Sequence, residues 1–84
     1  MTLENALALV MRETAAALGR NLDSISPTQR FVADLGAESI DFIDLTFRLE
    51  KATGRTLSET ELFKPGPEGD RTIQEVAARL AALP

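Results

Sequence analysis

The stretch Phe31-Val32-Ala33-Asp34-Leu35-Gly36-Ala37-Glu38-Ser39-Ile40-Asp41-Phe42 decides how this chain is read. An apolar step runs into Asp-Leu-Gly, and a lone serine then stands between the carboxylates of Glu38 and Asp41. An amphipathic pattern starts at that point, so Ser39 falls at a helix N-terminus, where serine is also a favoured cap. Unpaired backbone N–H groups and the helix dipole favour negative charge at such a place. Gly36 supplies the sharp turn into the helix. Asp34 is suited to anchor the loop by accepting backbone N–H groups.

Downstream of the serine, the periodicity predicts a helix from about Ser39 to Thr53. Ile40, Ile43, Phe47 and Lys51 line one side of it, while Phe42, Leu45 and Leu49 line another, joined by Ala52. The apolar arc is wider than a one-sided surface helix needs, which leaves part of it for something besides the core. Asp41 and Asp44 come early and Arg48 and Lys51 late, the charge order that suits the dipole. Gly54 stops the helix.

Upstream, Thr2 caps a helix over residues 3–18, with Leu3, Leu7, Val10, Met11, Ala15 and Leu18 as its apolar stripe and Gly19 beyond its end. Residues 20–38 then form a connection longer than most helix–helix loops, so it needs packed anchors or a function. Leu22, Ile25, Phe31, Val32 and Leu35 are the expected anchors. Ser26-Pro27-Thr28-Gln29 has the form of a cap, a proline and a reciprocal glutamine, and predicts one short helical turn. Toward the C-terminus, Ser58-Glu59-Thr60-Glu61 opens a helix of one or two turns through Leu62 and Phe63. The Lys64–Asp70 run, rich in proline and glycine, is an irregular loop. Thr72-Ile73-Gln74-Glu75 then opens the last helix, with Ile73, Val76, Ala77, Leu80 and Leu83 on its apolar face. The expected fold is all-α: a single domain over residues 1–84, a three- to four-helix bundle with one long loop.

Composition narrows the chemistry. A chain of 84 residues buries roughly 60–65% of its unfolded surface, so one modest core is all it holds. It has no Cys and no His, which removes the cysteine nucleophile, thiolate metal sites, the commonest general base and the commonest nitrogen ligand. No metal site is expected, because Glu38 and Asp41 alone at a helix start do not make one. The net charge of −4 disfavours nucleic acid and points to partners with basic surfaces. No apolar run approaches a membrane span, and the first residues lack the pattern of a signal peptide, so the expectation is a cytoplasmic monomer.

Asp34-Leu35-Gly36-Ala37-Glu38-Ser39-Ile40-Asp41 resembles the Asp-Leu-Gly-Ala-Asp-Ser-Leu-Asp signature of acyl carrier proteins. The flanks resemble that family too, from about residue 3 to 82: a long first helix, a proline-containing loop, a second helix ending near glycine, a short third helix and a fourth. The resemblance implies a non-catalytic carrier on which Ser39 receives a 4′-phosphopantetheine arm from a phosphopantetheinyl transferase. The arm holds acyl groups as thioesters for acyl-loading, condensing or acyltransferase enzymes. It further implies partner docking on the second helix, for which Glu38, Ile40, Asp41, Asp44 and Phe47 are the candidates. A possible acyl pocket between the second and third helices would use Ile43, Phe47 and Leu62.

Departures from the family pattern point to a specialised carrier in a dedicated lipid or polyketide-like pathway rather than general fatty-acid synthesis. Arg48, Lys51, Arg55 and Lys64 dilute the acidic second and third helices usual there, and Phe42 and Phe47 replace smaller residues. Gly36-Ala37-Glu38-Ser39 leans away from the Gly-Gly-x-Ser core of peptidyl carriers. A peptidyl or aminoacyl carrier, and an unmodified helical interaction module with the carrier fold, stand as alternatives.

Overall fold

The computed structural model describes residues 1–63 and 69–84, in which four α-helices each turn an apolar face to a shared core. Helix α1 spans Leu3–Leu18, α2 spans Ser39–Thr53, α3 spans Glu59–Phe63 and α4 spans Ile73–Ala82. Helix α1 packs on α4 and α2, and α3 fits against α2 and α4. Among the described residues there is no strand, only an isolated bridge between Arg30 and Thr72. The all-α bundle expected from the sequence is the fold observed.

The helix ends follow local chemistry. Thr2 Oγ1 accepts the Asn5 N–H at 3.1 Å, and Gly19 closes α1 in the left-handed region at φ 65°. At α4 the capping is reciprocal: Thr72 Oγ1 accepts the Glu75 N–H at 3.2 Å, and Glu75 Oε1 accepts the Thr72 N–H at 2.8 Å. Helix α3 is a short piece whose first turn is held by Ser58 Oγ, accepting from the Glu61 N–H at 3.3 Å.

The buried face of α1 is centred on Ala6, Val10 and Thr14 rather than on the larger residues of the expected stripe. These small side chains stand four apart and let neighbouring helices approach closely. Leu7, Met11 and Leu18 pack from the flanks, and Leu3 is exposed because it lies in the first turn, before the buried contact begins at Ala6. On α2 the core face is Phe42, Leu45, Thr46 and Leu49, whereas Ala52, expected to join them, is exposed. At the centre, Phe31, Phe42 and Phe63 form a three-ring cluster with centroids 5.3–6.0 Å apart. Phe31 and Phe63 meet edge to face, a favourable aromatic geometry.

The long connection differs from expectation in two places. Its helical turn is a 3-10 turn at Leu22–Ser24. Ser26–Gln29 is instead a tight turn: Gln29 N–H donates to Ser26 O at 3.2 Å, and Gln29 Oε1 takes the Ser26 N–H at 2.7 Å. The reciprocal glutamine is present, but it closes one turn and no helix follows. Ile25, Phe31 and Leu35 anchor the loop, while Leu22 and Val32 are exposed. The Lys64–Asp70 loop read from the sequence falls largely on residues 64–68, outside the described residues.

Candidate functional site

The turn before Ser39 is held from three directions. From within, Asp34 Oδ2 accepts the Arg30 N–H at 2.7 Å, and Gly36, at φ 68°, lets the chain double back so that Ala37 N–H reaches Phe31 O at 2.8 Å. From the end of α1, Arg20 Nη2 donates to Leu35 O at 3.0 Å. From the approach to α4, Asp70 receives the N–H of Val32 on Oδ1 and of Ala33 on Oδ2, both at 2.8 Å. Phe31 N–H also donates to Arg71 O, Ile73 N–H to Gln29 O and Gln74 N–H to Pro27 O. Arg71 Nη1 donates in turn to the carbonyls of Glu61 and Leu62 at the end of α3. Residues 70–74 thus stitch α3 and the Ser39 turn together.

Ser39 is the first residue of α2, and the cap is Glu38. The expected cap thus sits one position earlier than Ser39. Asp41 Oδ2 accepts the Glu38 N–H at 2.8 Å, so this carboxylate is engaged in fixing the helix start. The Ser39 side chain is exposed and its hydroxyl has no hydrogen bond among the described residues. The N–H groups of Ser39 and Ile40 likewise have no protein acceptor among them. A free hydroxyl beside two open N–H donors on a 15-residue helix fits an anionic phosphodiester at this oxygen.

The other sequence candidates distribute unevenly. Ile40, Ile43 and Phe47 are 70%, 58% and 67% exposed and share one face of α2. Asp44 Oδ2 lies 3.1 Å from Arg48 Nε, and Arg48 Nη1 lies 3.7 Å from Glu13 Oε1, so Asp44 belongs to an ion network joining α2 to α1. Phe47 lines an open depression of about 460 Å³ between these helices, with Glu13, Asp44, Arg48, Lys51 and Ala52. Leu62 is buried and lines a separate depression with Leu57, Arg79 and Leu83, among others. Phe47 and Leu62 thus line different depressions, and Ile43 lines neither of these two. Sequence reading missed Asp70 and Arg71: both look like loop charges, and only the stitched backbone gives them partners 37 and 38, or 9 and 10, residues away.

Among the described residues, no cluster of three or more acidic side chains could hold a metal ion, and no helix is long and apolar enough to cross a membrane. A family model described as the phosphopantetheine attachment site matches residues 8–80, most of the 84-residue chain. The chain is 40% identical over 62 residues to the putative inactive phenolphthiocerol synthesis polyketide synthase type I Pks1 of Mycobacterium tuberculosis. It is likewise 40% identical over 62 residues to the phenolphthiocerol synthesis polyketide synthase type I Pks15/1 of Mycobacterium bovis. In both cases 73% of this chain is covered, but only 4% and 3% of the relative, so the match is to a carrier-sized region of a far longer protein. With that match lying across the exposed serine and the helices that frame it, the chain belongs to the acyl carrier protein family, whose members hold a covalently attached 4′-phosphopantetheine.

Proposed function

We propose that this chain carries acyl groups as thioesters on a 4′-phosphopantetheine arm joined to Ser39 Oγ, in a polyketide-type pathway that builds lipids or related products. The observation that carries the reading is the free, exposed hydroxyl at the first residue of α2, inside the matched region. The arm supplies a thiol; this chain supplies the attachment oxygen, the open N–H groups beside it and a firmly held turn beneath it. With neither His nor Cys, the chain offers no ordinary base to activate Ser39, so the base and the catalysis belong to the transferase. The polyketide synthase relatives favour acyl over aminoacyl cargo. Glu38, Ile40, Asp41, Asp44 and Phe47 mark the face offered to the transferase and to the enzymes that load and extend the cargo.

The test is intact-protein mass spectrometry after incubation with coenzyme A and a broad-specificity phosphopantetheinyl transferase. Wild-type protein gains the mass of one phosphopantetheine; Ser39→Ala does not, and keeps its helical circular dichroism. A wild-type chain that stays unmodified, or a Ser39→Ala chain that is still modified, defeats the assignment.

A further inference from the structure

Asp70 differs from the other groups that hold the turn before Ser39. Its carboxylate is half-buried and has no ion pair among the described residues. Both of its oxygens accept backbone N–H groups, those of Val32 and Ala33, each at 2.8 Å. These two residues have exposed side chains, whereas Phe31 and Leu35 on either side are anchored in the core. Packing thus fixes the two ends of the turn, and Asp70 ties its middle to the approach to α4. Asp34 acts within the turn and keeps its shape, while Arg20 holds the Leu35 carbonyl beyond the middle. From the middle a hydrogen-bonded path runs forward to the serine. Val32 O accepts the Gly36 N–H at 3.0 Å, Gly36 turns the chain at φ 68°, and Ala37 and Glu38 lead directly into Ser39. Asp70 makes no hydrogen bond to Ser39, so its influence there passes through this backbone.

Resting on the carrier reading above, we infer that Asp70 is a positioning residue for the loading of Ser39: by tying down Val32 and Ala33 it sets how the Ser39 hydroxyl is presented to coenzyme A held by the transferase. In that step Ser39 Oγ forms a bond to the phosphorus that bears the pantetheine. The hydroxyl proton passes to a base of the transferase. The bond from that phosphorus to the oxygen bridging the two phosphates breaks, and adenosine 3′,5′-bisphosphate leaves. Such a transfer needs the reacting atoms about 3–3.5 Å apart and aligned, and a misplacement of about 1 Å costs up to about a hundredfold in rate. Without Asp70 both ends of the turn remain anchored and the chain stays folded, but the middle is released, and Gly36 and the residues after it follow. The body of α2 beyond its first turn is unchanged, so the loss falls on the transfer step and not on binding of the carrier.

The experiment uses the whole chain in single-turnover reactions, with a broad-specificity phosphopantetheinyl transferase in excess and coenzyme A saturating. Mass spectrometry of quenched samples gives the maximal rate of transfer and the transferase concentration at half that rate, which separates chemistry from binding. Asp70→Ala lowers the maximal rate about tenfold and leaves the half-saturating concentration within about twofold of wild type. Asp70→Asn, which keeps one acceptor oxygen, lowers the rate about threefold and carries the test if Asp70→Ala does not fold. The control is Val10→Ala, which opens a cavity at a fully buried position of α1 and lowers the urea midpoint without touching the turn. Its maximal rate and half-saturating concentration stay at wild-type values, which separates positioning from loss of stability. A wild-type maximal rate in both Asp70 variants, a loss confined to the half-saturating concentration, or an equal loss of rate in Val10→Ala overturns the inference and leaves attachment at Ser39 standing. A wild-type chain that stays unmodified defeats the carrier reading itself.

Discussion

Replacing Asp70 with alanine tests whether the Ser39 turn is held in place from the approach to α4. The carboxylate takes two consecutive backbone N–H groups, Val32 on one oxygen and Ala33 on the other, each at 2.8 Å. Hydrogen bonds to a charged acceptor contribute about 1.5–3 kcal/mol each. Asp70 is only half-buried, and water can replace it at both N–H groups, so a figure near 1 kcal/mol per bond applies. Asp70→Ala therefore costs about 2 kcal/mol. For a domain of this size that lowers the melting temperature by roughly 8–16 °C. Asp70→Asn keeps one acceptor oxygen and turns an amide donor toward the other N–H, so its cost is at least half as large. Urea denaturation reads the effect as a lower midpoint with an unchanged slope. Native-state hydrogen exchange reads its place: the Val32 and Ala33 amides lose protection more than the Leu49 amide in the middle of α2. An Asp70→Ala chain within about 0.5 kcal/mol of wild type, the range of an ordinary surface substitution, refutes the reasoning.

Three other consequences can be measured on the same protein. Thr14 is fully buried and its hydroxyl has no hydrogen-bond partner among the described residues, so Thr14→Val stabilises the fold by about 1 kcal/mol; a lower urea midpoint would count against an unpaired hydroxyl there. Phe63 contacts both other rings of the aromatic cluster, and Phe63→Ala costs about 3–5 kcal/mol, enough to melt much of a small domain near 37 °C by circular dichroism; a variant as stable as wild type would show the cluster to be dispensable. The Thr72 N–H, then the Thr72 hydroxyl, hold the Glu75 carboxyl below its ordinary value of 4.5. A carboxyl depressed on folding stabilises fully above its unfolded pKa, and that stability is lost as the pH falls through the lower folded value. The melting temperature of wild type thus declines on acidification below about pH 4.5 more steeply than that of Glu75→Gln, and parallel curves would remove Glu75 from the account.

How much of this was legible in the sequence depended on how local the cause was. The ends of α1 and α2 were, because Thr2, Gly19 and Gly54 act on their own neighbours. The reciprocal cap of α4 was legible for the same reason: Thr72 and Glu75 need only each other. Side-chain size misled on α1, where Ala6 and Thr14 lie deeper than Leu3, since closeness of approach is set by a neighbouring helix that periodicity does not display. Ser26–Gln29 carried a correct local bond, yet the backbone N–H of Gln74 captures the Pro27 carbonyl, and the turn is not continued into a helix. For the site, Ser39 was marked by its own surroundings. The fate of Asp44 was not, because the pairing of Arg48 with Glu13 on α1 is a tertiary fact. Asp70 lay furthest from reach, with its partners 38 and 37 residues away along the chain and no local pattern to suggest them.

The stitching by residues 70–74 bears on why a carrier of this size needs so many polar contacts around one short turn. A tethered cargo is useful only if its anchor is held while its arm moves, because the effective concentration at a partner's active site depends on where the tether begins. The Ser39 hydroxyl contributes no hydrogen bond to that rigidity among the described residues, so modification of its oxygen, as proposed above, would break none. The restraint is supplied on either side: Asp34, Arg20 and Asp70 before the serine, and Asp41 after it. Since Arg71 also grips the end of α3, a partner that displaced α3 would pull on the same backbone segment that holds Val32 and Ala33. The turn before Ser39 and α3 are therefore expected to lose exchange protection together. In Arg71→Ala the Val32 and Ala33 amides should exchange faster even though their own acceptor, Asp70, is untouched.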